Sequence, residues 1–140
     1  MTVSKRIDPK VQQQVANELG LYVYMLVDPA TGIPFYVGKG QGERFAAHGN
    51  DAMLNDGDDD EAGAKINRIR AIRAAGGEPE IWIIRHGMKN KLEYTSVEAA
   101  CIDLLRSMPV LQKPTRGVRV PEGISDQLTN ARREASNGHG

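Results

Sequence analysis

The chain has a single cysteine, Cys101, in 140 residues, so no disulfide can form within it and a reducing compartment is the natural expectation. Aromatic residues make up 5% of it, with one tryptophan and two phenylalanines, which is thin material for the stacking platforms of single-strand RNA readers. Neither sign of charge is in excess. Eighteen lysines and arginines balance eighteen aspartates and glutamates, so any hold on a polyanion has to come from local clustering rather than bulk attraction. No apolar run approaches the ~20 residues of a membrane span, residues 22–27 and 81–84 being the longest candidates. The N-terminal MTVSKRIDPKVQQQ lacks the apolar centre of a signal peptide. A soluble, cytoplasmic protein that does not engage a membrane is expected. With 40% apolar and 26% charged residues, disorder and coiled coil are excluded, and the length suits one core.

Periodicity supplies the elements. Asp8-Pro9 caps a first helix whose face is Val11, Val15 and Leu19, ended by Gly20. LYVYMLV at 21–27 and the apolar run 33–37 flank DPATG at 28–32 and read as a β-hairpin. Gly38, Gly40 and Gly42 then interrupt, read as a strand-to-helix turn, before a helix over 43–48. Residues 50–63 read as an acidic loop or frayed helix end. A helix follows over 64–75, striped by Ile66, Ile69 and Ile72 and stopped by Gly76-Gly77. EIWIIR at 80–85 is a short strand with a buried centre, Trp82 included. Residues 92–108 carry Val97, Cys101, Leu104, Leu105 and Met108 at helical spacing, and a weak helix is expected around 125–135. Irregular alternation of strands and helices predicts an α+β fold with a small antiparallel sheet.

Several chemistries fail on spacing. VGKGQGER at 37–44 contains neither GxxxxGK[ST] nor GxGxxG. Aligning Asp56, Asp58 and Asp60 to an EF-hand puts Glu61 where glycine is needed and Asn67 where the bidentate glutamate belongs. His48, His86, His139 and Cys101 are too dispersed for zinc, and His86 reads as a surface or core-edge residue. Lys65, Arg68, Arg70 and Arg73 cluster in one helix, ordinarily a solvated face.

Two features point to phosphate. Tyr36, Lys39, Arg44 and His48 bracket the glycine run, with Arg44 and His48 four apart on one helix face. Glu98 borders the apolar stripe of its helix, where a carboxylate needs a cation, a metal or hydrogen bonds. The competing reading makes Thr95-Ser96-Val97-Glu98 a capping box. That requires a helix starting at Ser96, whereas periodicity reaches back to Leu92.

Residues 22–44, YVYMLVDPATGIPFYVGKGQGER, closely resemble the signature of the GIY-YIG nuclease superfamily, and within it a branch of small stand-alone proteins. Tyr22-Val23-Tyr24 stands for the first tripeptide and Tyr36-Val37-Gly38 for the second, with Tyr22 where the first glycine belongs. The resemblance runs over about residues 21–112. It implies a three-stranded antiparallel sheet flanked by helices, with residues 1–20 as an N-terminal helical extension, 21–112 as the catalytic domain and 113–140 as a tail. It further implies a metal-dependent endonuclease acting on duplex or branched DNA, with one Mg²⁺ or Mn²⁺ on Glu98. Tyr24 and Tyr36 match the motif tyrosines, Arg44 the helix arginine, His48 a residue one turn later, Lys39 a lysine of some members. Lys39, Arg44, Lys65 and Arg68 are the expected phosphate-binding set. Tyr24 is the first choice of base, with Tyr36 placing the water or phosphate. Some members carry an asparagine after the last helix, where this chain has Gln112 and Lys113. A non-cleaving nucleic-acid adaptor and an RNA nuclease are the alternatives. The common requirement is that two phenols, a guanidinium and a carboxylate meet in one cleft.

Overall fold

The computed structural model describes residues 8–55, 59–108 and 128–130, and of residues 59–62 the backbone only. Helix α1 (Pro9–Leu19) leads into the hairpin β1 (Leu21–Asp28) and β2 (Ile33–Gln41). Then come α2 (Gly42–His48), α3 (Asp51–Leu54), α4 (Asp59–Ala74), β3 (Glu80–Met88) and α5 (Lys91–Ser107). The strands form one antiparallel sheet in the order β2-β1-β3, as expected of the α+β reading. No helix among the described residues is long and apolar enough to cross a membrane.

Strand alternation on β1 divides the core in two. Tyr22, Tyr24 and Leu26 face a cluster built with Ala16, Leu19, Phe45, Met53, Leu54, Ile69 and Ile72, from α1, α2, α3 and α4. Val23 faces the other side, with Val37, Met88, Tyr94 and Leu105, under α5. A bulge between Leu26 and Val27 lets Phe35 and Tyr36 both reach the first cluster.

Local chemistry sets the helix ends. The Asp8 carboxylate accepts from the Lys10 N–H at 2.8 Å, and Pro9 occupies the first turn. The Asn90 side chain accepts from the Glu93 N–H at 2.8 Å, and Glu93 Oε1 reaches back to the Lys89 N–H at 3.3 Å. That reciprocal cap starts α5 at Lys91, so Glu98 lies two turns inside the helix and is not its capping residue.

Several expectations are corrected. Val11 and Val15 of α1 are exposed, and Ala16 and Leu19 are the buried pair. The reason is α2: Gln12 Nε2 donates to the Ala46 carbonyl at 2.8 Å, which turns the Gln12–Ala16 side of α1 inward. Gly38 and Gly40 belong to β2, which continues to Gln41, so they make no turn. Trp82 is 51% exposed and donates its indole N–H to Glu80, while Ile83 and Ile84 are also exposed. Edge position alone does not explain this, since β2 is the other edge and is mostly buried; α5 packs chiefly over β1 and β2 and covers β3 less. His86 is on the surface, in line with its reading as a surface or core-edge residue, its Nδ1 3.3 Å from the Glu18 carbonyl. Most of residues 125–135 lie outside the described ones, and the described part, 128–130, is not helical.

Candidate active site around the edge of β2

Tyr22, Tyr24 and Tyr36 line the inner face of the hairpin as a tilted series. Ring centroids are 5.9 Å apart for Tyr22–Tyr24 and 6.1 Å for Tyr24–Tyr36, at 49° and 47°. Across the ladder Tyr22 opposes Gly40 and Tyr24 opposes Gly38. A Cβ at either glycine would overlap the Cζ and hydroxyl of the opposing tyrosine. The tyrosines therefore lie flat over β2 because the glycines carry no side chain, and that fixes the Tyr-x-Tyr and Gly-x-Gly spacings together. Tyr22, at the position of the motif's first glycine, is accommodated by Gly40 in this way.

The two motif tyrosines have different neighbours. Tyr24 is buried, and its hydroxyl donates to the Met53 carbonyl at 2.9 Å. Tyr36 has the ammonium of Lys65 4.3 Å from its ring centre. Lys65 itself is completely buried.

The rest of the basic stretch on α4 is engaged elsewhere. Arg68 pairs with Asp28 at 3.1 Å and lies 5.2 Å over the Phe35 ring. Arg73 forms two hydrogen bonds with Glu78, at 2.9 and 2.6 Å. The bonding to Arg73 holds the Glu78 carboxyl below its ordinary range, and the same bonding raises Arg73. Both side chains are about half exposed, so the pair is a weak tether of the α4–β3 connection. Lys65 and Arg68 thus sit against Tyr36 and Asp28 rather than as an open phosphate face.

Glu98 lies on the other side of the sheet. Its Oε1 is 3.7 Å from the Lys39 ammonium, which also donates to Thr95 Oγ1 at 3.1 Å and lies 5.3 Å over the Tyr94 ring. Strand alternation is the cause: Tyr36 and Lys39 are three apart in β2, so they point to opposite faces. The phenols and the carboxylate therefore stand on opposite faces of the sheet, and a cleft common to them has to run around the edge strand β2. On β2 itself Tyr36 and Lys39 take the two faces, with Gly38 between them in the strand. Arg44 and His48 are exposed on α2, the helix that β2 runs into.

The residues 128–130 make an attachment that sequence reasoning missed. Thr129 donates its N–H and its hydroxyl to the Phe35 carbonyl, at 2.7 and 2.9 Å. Asn130 closes a two-way bond with Val37, its Oδ1 accepting from the Val37 N–H at 2.9 Å and its Nδ2 donating to the Val37 carbonyl at 2.8 Å. Arg106 of α5 donates to the Asn130 carbonyl at 3.2 Å. A side-chain amide is the group that can satisfy the N–H and C=O of one edge residue at once. Asn130 therefore pins the strand position next to Tyr36, while Gln112 and Lys113 lie outside the described residues. Asn130→Ala is expected to lower stability by about 1–3 kcal/mol through the two buried backbone groups it leaves unpaired, read by urea denaturation.

Among the described residues no three His, Cys, Asp or Glu side chains are grouped to hold a metal ion. One carboxylate still fits a hard cation such as Mg²⁺, which keeps most of its waters. Glu98, with 21% of its side chain exposed beside a lysine, is of that kind. Cys101, one turn on, has its thiol pushed up by burial first and by the Glu98 charge second.

A family model for the LEM-3-like GIY-YIG domain matches residues 8–136. The match takes in α1 and Asn130, beyond the motif-bearing residues 21–112. None of the curated proteins or solved structures compared with the chain matches it. With nearly the whole chain covered and the paired tyrosine motifs on adjacent strands, this protein belongs to the LEM-3-like GIY-YIG domain family, a nuclease-type branch of the GIY-YIG superfamily.

Proposed function

We propose that the protein is a divalent-metal-dependent endonuclease that hydrolyses DNA phosphodiester bonds at the β2 edge, with Tyr36 as the base. The observation that carries this is the pairing of a lysine-backed phenol on one face of β2 with a carboxylate–lysine pair on the other.

Hydrolysis needs a deprotonated water, neutral surroundings for the phosphate oxygens and help for the leaving oxygen. Tyr36 takes the proton from the attacking water. Tyr24 is less suited to that task, because its O–H is already given to the Met53 carbonyl and a phenolate there would face a carbonyl oxygen. Arg44 holds the non-bridging oxygens with its planar fork. Lys39, loosely paired with Glu98 at 3.7 Å, turns to the phosphate as a second cation. By ladder alternation the Lys39 N–H faces away from β1, as that of Val37 does, and adds a donor at the same edge. His48 orients the phosphate or passes protons from the end of α2. Glu98 would hold the Mg²⁺ or Mn²⁺, and the ion would supply neutralisation of the negative charge that develops during cleavage.

The test is plasmid nicking with Mg²⁺, comparing the unaltered chain with Glu98→Gln, Arg44→Ala and Tyr36→Phe. Loss of cleavage in all three is expected, and full activity in Glu98→Gln removes the metal role. Cation binding has a readout that needs no turnover. Neutralising Glu98, by Mg²⁺ or by Glu98→Gln, removes one cause of the raised Cys101 thiol. Alkylation of Cys101 at neutral pH is then expected to quicken severalfold, and a rate that quickens in Glu98→Gln but not with Mg²⁺ argues against cation binding there.

The internal engagement of Arg68 and Arg73, with zero net charge, favours one further reading: a nucleic-acid adaptor that binds without cutting. Salt-sensitive DNA binding with no nicking in any divalent cation is its signature.

A further inference from the structure

Lys65 has no exposed surface at all, and its ammonium is 4.3 Å from the centre of the Tyr36 ring. Helix phase puts it there. Lys65, Ile69 and Ile72 are spaced i, i+4, i+7 and form the inward stripe of α4, so the lysine occupies a core position of the helix. An ammonium held in a buried, low-dielectric place against a phenol ring favours negative charge on that phenol.

We infer that Lys65 is a positioning residue that acts through Tyr36, keeping its phenol ready to ionise, and is not itself a phosphate ligand. This rests on the reading of Tyr36 as the base. The phenol O–H bond breaks and its proton goes to solvent before the substrate is cut. The phenolate then takes a proton from water as the water oxygen bonds to phosphorus. The bond from phosphorus to the leaving oxygen breaks, and that oxygen draws a proton from solvent. Lys65 stays an ammonium throughout and exchanges no proton.

The other titratable groups around this ring have different engagements. Tyr24 on β1 lies 6.1 Å away with its hydroxyl on Met53, and Arg68 on α4 is paired with Asp28. On α2, Glu43, Arg44 and His48 are exposed, as is Asp51 on α3. A surface guanidinium assists cleavage at every pH by holding phosphate, whereas a buried charge behind the base moves the pH at which the base works.

The experiment is the pH–rate profile of Mg²⁺-dependent plasmid nicking by the full chain and its Lys65→Met and Lys65→Arg variants. Lys65→Met is expected to lose about tenfold or more at neutral pH and to recover as pH rises, its rising limb displaced to alkali by about a unit or more. Lys65→Arg keeps the charge and is expected to hold the limb near its original place. A folded Lys65→Met protein that is slower at every pH, with its limb unmoved, overturns the inference. Should Lys65→Met not fold, the phenolate absorbance of the unaltered chain minus that of Tyr36→Phe gives the titration of Tyr36 directly. Ionisation below the ~10 of free tyrosine supports the inference, and ionisation at or above it overturns it. The two readings fail separately. Cleavage by Tyr36→Phe at the original rate removes the base assignment, whereas an inactive Tyr36→Phe with an unshifted Lys65→Met profile removes only the role of Lys65.

Discussion

Tyr36→Phe is expected to slow phosphodiester cleavage by about 10²–10⁴-fold while leaving the fold intact, and Tyr24→Phe to do nearly the reverse. The two residues both match motif tyrosines and their rings are only 6.1 Å apart, so the contrast rests on their neighbours, the Met53 carbonyl for the Tyr24 hydroxyl and the Lys65 ammonium for the Tyr36 ring. Tyr36 loses a group that receives a proton, but its ring stays beneath the Lys65 ammonium at 4.3 Å. Tyr24 loses the buried bond to the Met53 carbonyl, which is left unpaired at a cost of about 1–3 kcal/mol. Single-turnover cleavage and urea denaturation on the same two variants separate the roles. A Tyr24→Phe protein as inactive as Tyr36→Phe, with unchanged stability, would return the base to Tyr24.

The largest expected effect on stability comes from glycines that carry no chemistry. Gly38→Ala drives a methyl group into the Tyr24 ring, whose far end is anchored on Met53. Overpacking of a buried site and the loss of that anchor together are expected to cost about 3 kcal/mol or more. Gly40→Ala meets the Tyr22 ring in the same way. Tyr22 makes room if shortened, so Tyr22→Ala with Gly40→Ala is expected to be less unstable than the two single losses added, with a coupling of about 0.5–3 kcal/mol. Strict additivity in that double-mutant cycle would mean that the ring and the glycine do not compete for the same space.

Much of the fold was legible because it rests on local rules. Asp8-Pro9, the β-forming run LYVYMLV and the DPATG connection placed α1 and the hairpin. The spacing of Ile66, Ile69 and Ile72 placed α4 from residue 64 on, whereas the helix begins at Asp59 within the stretch read as an acidic loop or frayed helix end, where α3 also lies. Where the sequence misled, a neighbour distant in the chain had decided. The run IWII reads as core until the packing of α5 chiefly over β1 and β2 leaves Trp82 half exposed. The glycines at 38 and 40 read as a turn until their cross-strand partners are known to be tyrosines. Lys65 was counted with the surface cations of its helix, although its phase with Ile69 and Ile72 was there to be read. Asn130 offered no such signal beyond an amide in a polar tail, because its partner lies 93 residues away.

The order of residues alone determined which groups exist, at what spacing, and on which face of each element they stand: paired tyrosines, an arginine and histidine one turn apart, a glutamate inside a helix. Tertiary structure decided which of them share an environment. Tyr24 became a donor to a backbone carbonyl, Lys65 a buried charge behind Tyr36, and Glu98 a neighbour of Lys39 across the sheet from both phenols. The physical reason is one of range. Propensity and periodicity act over a few residues, whereas the burial of a charge and the partner of a hydroxyl depend on segments that meet only after the sheet has closed.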